Sequence, residues 1–397
     1  MRAIVCKIIR LIESKMIIVV DEAIPYWDEA FPRLGEVRPF SGRKLRPADV
    51  KDANALVVRS ITHVDASLLE GSSVRFVGSA TIGMDHMDVE YLKARGVYFT
   101  NAAGCNANAV AEYIVAALLV MAKRKGWNLR SKSIAIIGVG NVGSRVEKKA
   151  RTLGMKVLLC DPPLREARSD PRYLFLDDVL DADILTFHVP LASDGPYPTY
   201  HMVDKNVLER LSPKQFLVNT ARGPVFNGRD LKESLRAGQL EGAVLDVWEG
   251  EPDIDLSLLD LAEIGTPHIA GYSIDGKIRA TEMMFEGLCR HFQLQASWDT
   301  GSLYPAAARM RPEGLKGEDA LRSVVLQAYN ILRDDGNLRA LHSLPEDRAG
   351  AGFDRLRNEY PLRPEFRHFV VDLPKDQTGI GGIIGGLGFQ VSNGGGE

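Results

Sequence analysis

Short β-branched runs alternate with stretches of helical length along the chain, and this alternation predicts parallel α/β sheets. Met16 to Val20, Ala55 to Val58, Val74 to Gly78 and Val97 to Asn101 form a first series of strands. A second series runs through Ser133 to Gly138, Lys156 to Cys160, Ile184 to His188, Gln215 to Asn219, Gly242 to Asp246 and Glu263 to Thr266. Between them lies Asn108 to Arg124, apolar at Val110, Ala111, Ile114, Val115, Leu118, Leu119 and Met121, a spacing that predicts a long linking helix. Another helical stretch, Asp275 to Gln293, precedes Pro305, after which an amphipathic helix near Glu318 to Leu332 and polar loops follow. Glycine holds 9 of the 19 positions from Gly379 to Glu397, which predicts a loose tail because glycine loses most entropy on ordering.

Length and charge narrow the partners. A chain of 397 residues has room for two or three domains. Residues 16–112 with 275–303 form one expected domain, 113–274 a dinucleotide-binding domain, and 304–397 a small α+β segment. Lys and Arg total 49 against 52 Asp and Glu, a net charge of -3, so electrostatics give no general case for nucleic acid or an anionic membrane. No apolar run reaches the roughly 20 residues of a membrane span. Residues 1–15 carry Arg2, Lys7, Arg10 and Lys15 without the long apolar core or cleavage site of a secretory signal, so they are expected to be an extension ahead of Met16. Cys6, Cys105, Cys160 and Cys289 are scattered, with neither CxxC pairs nor zinc spacing; free thiols in a reducing, cytoplasmic compartment are expected and no metal site is.

The chemistry begins at Ile134 to Ile137, a buried-strand pattern that runs into GVGNVG, Gly138 to Gly143, and then into a helical run. Strand, glycine turn and helix in that order predict a dinucleotide site. Gly138 permits the tight turn, Gly140 the approach of a pyrophosphate, and Gly143 close packing of helix on strand, with Asn141 and Val142 inside the same loop. The next strand ends in Asp161, 18 residues after Gly143, where an acidic side chain favours NAD over NADP. Downstream, Arg222, Glu251 and His268 follow strands of the same series, at the sheet edge where open α/β folds place ligands. Arginine suits a carboxylate, histidine can exchange a proton near neutral pH, and a carboxylate can orient that histidine.

VNTARG, the EGEP after DVW, and PHIAG closely resemble the D-2-hydroxyacid dehydrogenase family, over Met16 to about Leu303. DEAIPY, VRSITHVDASLL, VGSATIGMDHMD, NAAGCNANAVAEY, CDPP and GPYPTYHM resemble a member that acts on a phosphorylated sugar acid. The resemblance implies two doubly wound Rossmann-like domains, a C-terminal dimerisation segment and a homodimer. It implies oxidation of 4-phospho-D-erythronate at C2, with NAD as acceptor, on the route to pyridoxal 5′-phosphate. It makes His268 the acid/base, Glu251 its partner and Arg222 the carboxylate ligand. Ser60, Thr81 and Tyr272 match substrate contacts; Asp161, Asp246 and Gly271 match cofactor contacts. Val189 stands where the family often has threonine, which leaves a backbone contact to cofactor. Arg59, ahead of Arg43 and Lys44, is the candidate for the substrate phosphate. The alternatives are another D-2-hydroxyacid dehydrogenase, acting on phosphoglycerate, glycerate or hydroxypyruvate, or an NAD-sensing corepressor-like module.

Overall fold

The computed structural model describes residues 16–312, 314–361, 363–374 and 378–393, so the expected extension at 1–15 lies outside the described residues. The described residues divide into two compact units, one of residues 16–106 with 275–304 and one of 107–274 with 305–393.

The first unit is a five-stranded parallel sheet of β1 (Ile17–Asp21), β2 (Glu36–Phe40), β3 (Ala55–Val58), β4 (Phe76–Ser79) and β5 (Tyr98–Asn101), in the order β2-β1-β3-β4-β5. The middle strand β3 is wholly buried, as its unbroken apolar run requires in a sheet covered on both faces. Sequence patterning misses β2, a half-exposed edge strand that contains Pro39, because proline lacks the ladder donor and is tolerated only at an edge. The helix Ile274–Phe292 buries Met284, Phe285 and Leu288 in this unit's core.

The second unit is built on seven parallel strands: β6 (Ser133–Ile137), β7 (Lys156–Cys160), β8 (Tyr173–Leu174), β9 (Ile184–Phe187), β10 (Phe216–Asn219), β11 (Gly242–Leu245) and β12 (Ile264–Gly265). Their order, β12-β11-β10-β9-β6-β7-β8, reverses direction between β6 and β9, the switch point of a doubly wound nucleotide-binding sheet. The expected linking helix spans Ala107–Lys125, and every residue from Ala109 to Ala122 is buried.

The C-terminal segment differs most from expectation. Its three strands, β13 (Ala308–Met310), β14 (Phe369–Leu373) and β15 (Gln390–Asn393), pair in parallel, with helices filling the chain between them. The single helix expected near Glu318 to Leu332 is two, Gly317–Ala328 and Ile331–Arg339, broken where the Asn330 side chain caps the second. The glycine-rich stretch is not a loose tail over its described residues. It forms the helix Thr378–Leu387 and then β15. Ile380, Ile383, Ile384 and Leu387 recur at helical spacing and join the core around Val146 and Leu153, which supplies the burial that offsets the entropy of ordering glycine. Among the described residues no helix is long and apolar enough to cross a membrane, and no cluster of His, Cys, Asp and Glu could hold a metal ion.

Candidate active site

The glycine loop leaves β6 and enters the helix Asn141–Thr152, which starts three residues earlier than the sequence pattern indicates and so takes Asn141, Val142 and Gly143 into its first turn. Gly138 has φ 87°, and a Cβ there would lie 2.8 Å from the His188 carbonyl oxygen at the switch point. Gly143 is needed for packing, since its Cβ would sit 2.0 Å from the Gly138 oxygen. A Cβ on Gly140 would meet no protein atom within 4 Å. Packing therefore does not require that glycine, whereas an approaching pyrophosphate at a helix N-terminus would. Asp161 accepts from the Val139 N–H at 2.7 Å and caps the following helix through the Leu164 N–H at 3.0 Å, so it ties the glycine loop to the end of β7. Beside the loop, burial pushes His188 down to about 3, and the neutral ring meets Thr186 and Thr220. Val189 follows it, half-buried, with Cγ1 2.9 Å from where a Gly138 Cβ would stand.

His268 and Glu251 come together. Nδ1 of His268 lies 2.7 Å from Oε2 of Glu251, while Oε1 of Glu251 accepts the Trp248 N–H at 2.8 Å. Burial pushes the Glu251 carboxyl up, yet the His268 charge and hydrogen bond, the Trp248 N–H and the Arg357 charge together outweigh it and hold the group below the usual carboxylate range. His268 has a left-handed backbone, φ 56°, unusual for a residue with a side chain. Asp246 is what holds it. Its backbone oxygen accepts the His268 N–H at 2.7 Å, and its buried carboxylate accepts from the Thr266 hydroxyl at 2.6 Å and from the N–H groups of Ile269 and Ala270 at 2.8 and 3.0 Å. Asp246, expected as a cofactor contact, thus lies beneath the histidine loop, and burial raises its carboxyl above the ordinary value. Gly271 and Tyr272 complete that loop, with the Tyr272 ring edge-on to Tyr360 at 5.8 Å.

Arg222 sits on the turn after β10. Asn219 shapes this turn by accepting the Ala221 N–H at 3.0 Å and donating to the Arg222 carbonyl at 3.0 Å. The Gly223 Cα approaches the Trp248 carbonyl so closely that a Cβ would fall 1.9 Å from its oxygen, which fixes the Arg222 turn against the loop of Glu251.

In the first unit, Ser60 is exposed on the rim of a cavity of about 600 Å³ that Arg43, Thr62 and His63 also line. Arg59, the leading phosphate candidate, pairs with buried Asp21 at 3.0 Å. Lys277, a cation that sequence reading passed over, is pushed below the usual lysine range by burial and then by the charge of Arg59. Lys44 closes a short turn after Gly42. The Thr81 hydroxyl meets Ser79 at 2.7 Å, and Ser79 meets buried His86 at 3.0 Å.

A switch-point glycine loop with an acidic strand end, and a carboxylate-bound histidine on the same sheet edge, are the parts a dinucleotide-dependent dehydrogenase needs. The model of the D-isomer specific 2-hydroxyacid dehydrogenase NAD binding domain matches residues 108–270, and a domain of unknown function matches 304–379. The chain is 43% identical over 380 residues, 95% of its length and 98% of the relative's, to erythronate-4-phosphate dehydrogenase of Salmonella arizonae. Its fold resembles D-lactate dehydrogenase from Aquifex aeolicus, solved with NAD and lactic acid (TM-score 0.57, 24% identity, 70% of this chain and 95% of that one). It also resembles NAD⁺-bound 3-phosphoglycerate dehydrogenase of Entamoeba histolytica (TM-score 0.59, 23% identity, 70% and 96%). The chain belongs to the erythronate-4-phosphate dehydrogenase family within the D-2-hydroxyacid dehydrogenases.

Proposed function

We propose that the enzyme oxidises the C2 hydroxyl of 4-phospho-D-erythronate to the 2-oxo acid, (R)-3-hydroxy-2-oxo-4-phosphobutanoate, as a step toward pyridoxal 5′-phosphate, in the cytoplasm. NAD, when bound, accepts the hydride released from C2. The observation that carries the reading is the 2.7 Å contact of His268 Nδ1 with Glu251. With Nδ1 committed to a carboxylate, Nε2 is the ring atom that takes the hydroxyl proton, and Glu251 stabilises the imidazolium that results. Arg222 supplies the planar fork for the C1 carboxylate, beside the carbon where charge develops. Gly138 to Gly143, Asp161, Val189, Asp246 and Gly271 would hold the dinucleotide, and Asp246 also keeps the His268 loop in its left-handed turn.

Ser60, Thr81 and Tyr272 are the proposed substrate contacts. For the phosphate, Arg43 on the Ser60 cavity and Lys277 now stand beside Arg59, whose charge Asp21 already balances in part. The C-terminal residues are proposed to carry a homodimer contact.

NADH formation with 4-phosphoerythronate, glycerate and 3-phosphoglycerate, assayed side by side, tests the substrate; preference for either of the last two would overturn it. His268→Ala is expected to lower kcat by roughly 10² to 10⁴ while NAD still binds. Undiminished turnover would remove the histidine from the mechanism.

A further inference from the structure

We propose that Arg357, carried by the C-terminal helix Glu346–Asn358, is a positioning residue for the reaction: its guanidinium shares the Glu251 carboxylate with His268 and so limits how tightly Glu251 holds a protonated imidazole. This rests on the reading of His268 as the proton acceptor. Nη1 of Arg357 lies 4.0 Å from Oε2 of Glu251, the same oxygen that meets His268 at 2.7 Å. The guanidinium also bonds the Tyr272 side chain, four residues after His268. It is held over the ring of buried Phe353 at 5.9 Å, and its Nε is enclosed without a hydrogen-bond partner. The charged and titratable groups that act on this cluster are Asp246, whose carboxyl feels the His268 charge, Glu251 at Nδ1, and Tyr272 and Arg357, which bond each other.

The electrostatics fix the sign. A carboxylate bound to an imidazole alone raises the ring's affinity for a proton, and a second cation on the same oxygen weakens that effect. A hydroxy-acid oxidation needs the ring to take up the hydroxyl proton, and Arg357 sets how much of the Glu251 charge is left to face it. Arg357 lies within residues 304–379, matched by a domain of unknown function, and this gives that segment a part in the chemistry.

The test is kcat/KM for oxidation of the hydroxy acid as a function of pH, measured on the full chain and on Arg357→Met and Arg357→Lys. In Arg357→Met the acidic limb is expected to move up by about one pH unit, whereas Arg357→Lys keeps it in place. A purely structural arginine would lower activity in both variants without moving the limb, and an unmoved limb in Arg357→Met overturns the proposal. Should Arg357→Met fail to fold, as judged by circular dichroism, Arg357→Gln gives the same reading because it too removes the charge. With Glu251→Gln already present, Arg357→Met should cause no further movement; an equal shift there would refute the route through Glu251. Turnover that survives His268→Ala would sink the acid/base reading itself, whereas dependence on His268 with an unmoved limb sinks only the role of Arg357.

Discussion

At the scale of single residues, one side chain often serves structure and chemistry together. Asp161 was legible from its place at a strand end 18 residues past the glycine loop, yet its two hydrogen bonds to Val139 and Leu164 were not, because they depend on how the loop folds back on β7. Those bonds refine the expected phenotype. Asp161→Asn retains one acceptor oxygen for the cap but turns its NH2 toward the Val139 N–H, so it should narrow the preference for NAD over NADP and lose part of the stability that the second bond supplies. Asp161→Ala should narrow it equally and lose about 1 kcal/mol of stability with the cap. Competition of the two cofactors, with denaturant unfolding of both variants, checks this; an unaltered cofactor ratio would deny Asp161 its ribose role. Asp246 carries the same lesson. Its position after β11 was readable, but its hold on Thr266, Ile269 and Ala270 exists only because β11 and β12 are neighbours.

Among elements, buried central strands announce themselves as unbroken apolar runs, and all those of the second sheet's middle were legible for that reason. Edges were harder to read. The β2 strand is half solvated, and β8 is two residues long, too short for any periodicity to register, whereas β12, expected over Glu263 to Thr266, pairs only over Ile264–Gly265. The glycine-rich helix was obscured by composition, since its four apolar positions show helical spacing only when glycine is disregarded. Some of its glycines are required by packing and others are not. A Cβ on Gly386 would lie 2.6 Å from Cγ2 of Thr152, whereas one on Gly382 would meet nothing within 4 Å. Gly386→Ala is therefore expected to destabilise by roughly 1–3 kcal/mol through overpacking. Gly382→Ala should stabilise by roughly 1 kcal/mol by raising helix propensity. Denaturant midpoints of the two variants should move in opposite directions; a common direction would contradict the docking of this helix on Asn141–Thr152.

For the molecule as a whole, the C-terminal segment is an integral part of the nucleotide-binding unit. Leu321, Val324, Phe366, Val371 and Leu387 share one core with the helix Ala107–Lys125. A buried polar junction joins them as well. Glu112 accepts the Phe366 N–H and the Asn108 amide at 2.9 Å each and lies 3.6 Å from Arg363, whose guanidinium donates to the carbonyls of Ala109 and Ala270. Burial, and then the Glu365 charge, push the Glu112 carboxyl up to about 8. A carboxyl raised from its ordinary value favours the folded state below that ordinary value, and this contribution is lost as pH rises toward the folded pKa. Between about pH 5 and pH 8 the unfolding midpoint should therefore fall more steeply in the parent than in Glu112→Gln. Parallel curves for the two proteins would show that Glu112 does not titrate in that window.

By itself the sequence determined the two parallel α/β units, the long linking helix and the glycine loop with its acidic partner, and it offered Arg222, Glu251 and His268 as candidates. Each rests on a local signal: a strand's apolar run, a helix's period, or a motif at fixed spacing. Tertiary structure alone decided that Asp246 supports the histidine loop, that Asp21 engages Arg59, that glycine-rich residues fold against Thr152, and that Arg357 reaches Glu251 across more than a hundred residues of chain. Those contacts join positions remote in sequence, and neither period nor spacing along a chain encodes which remote surfaces will meet.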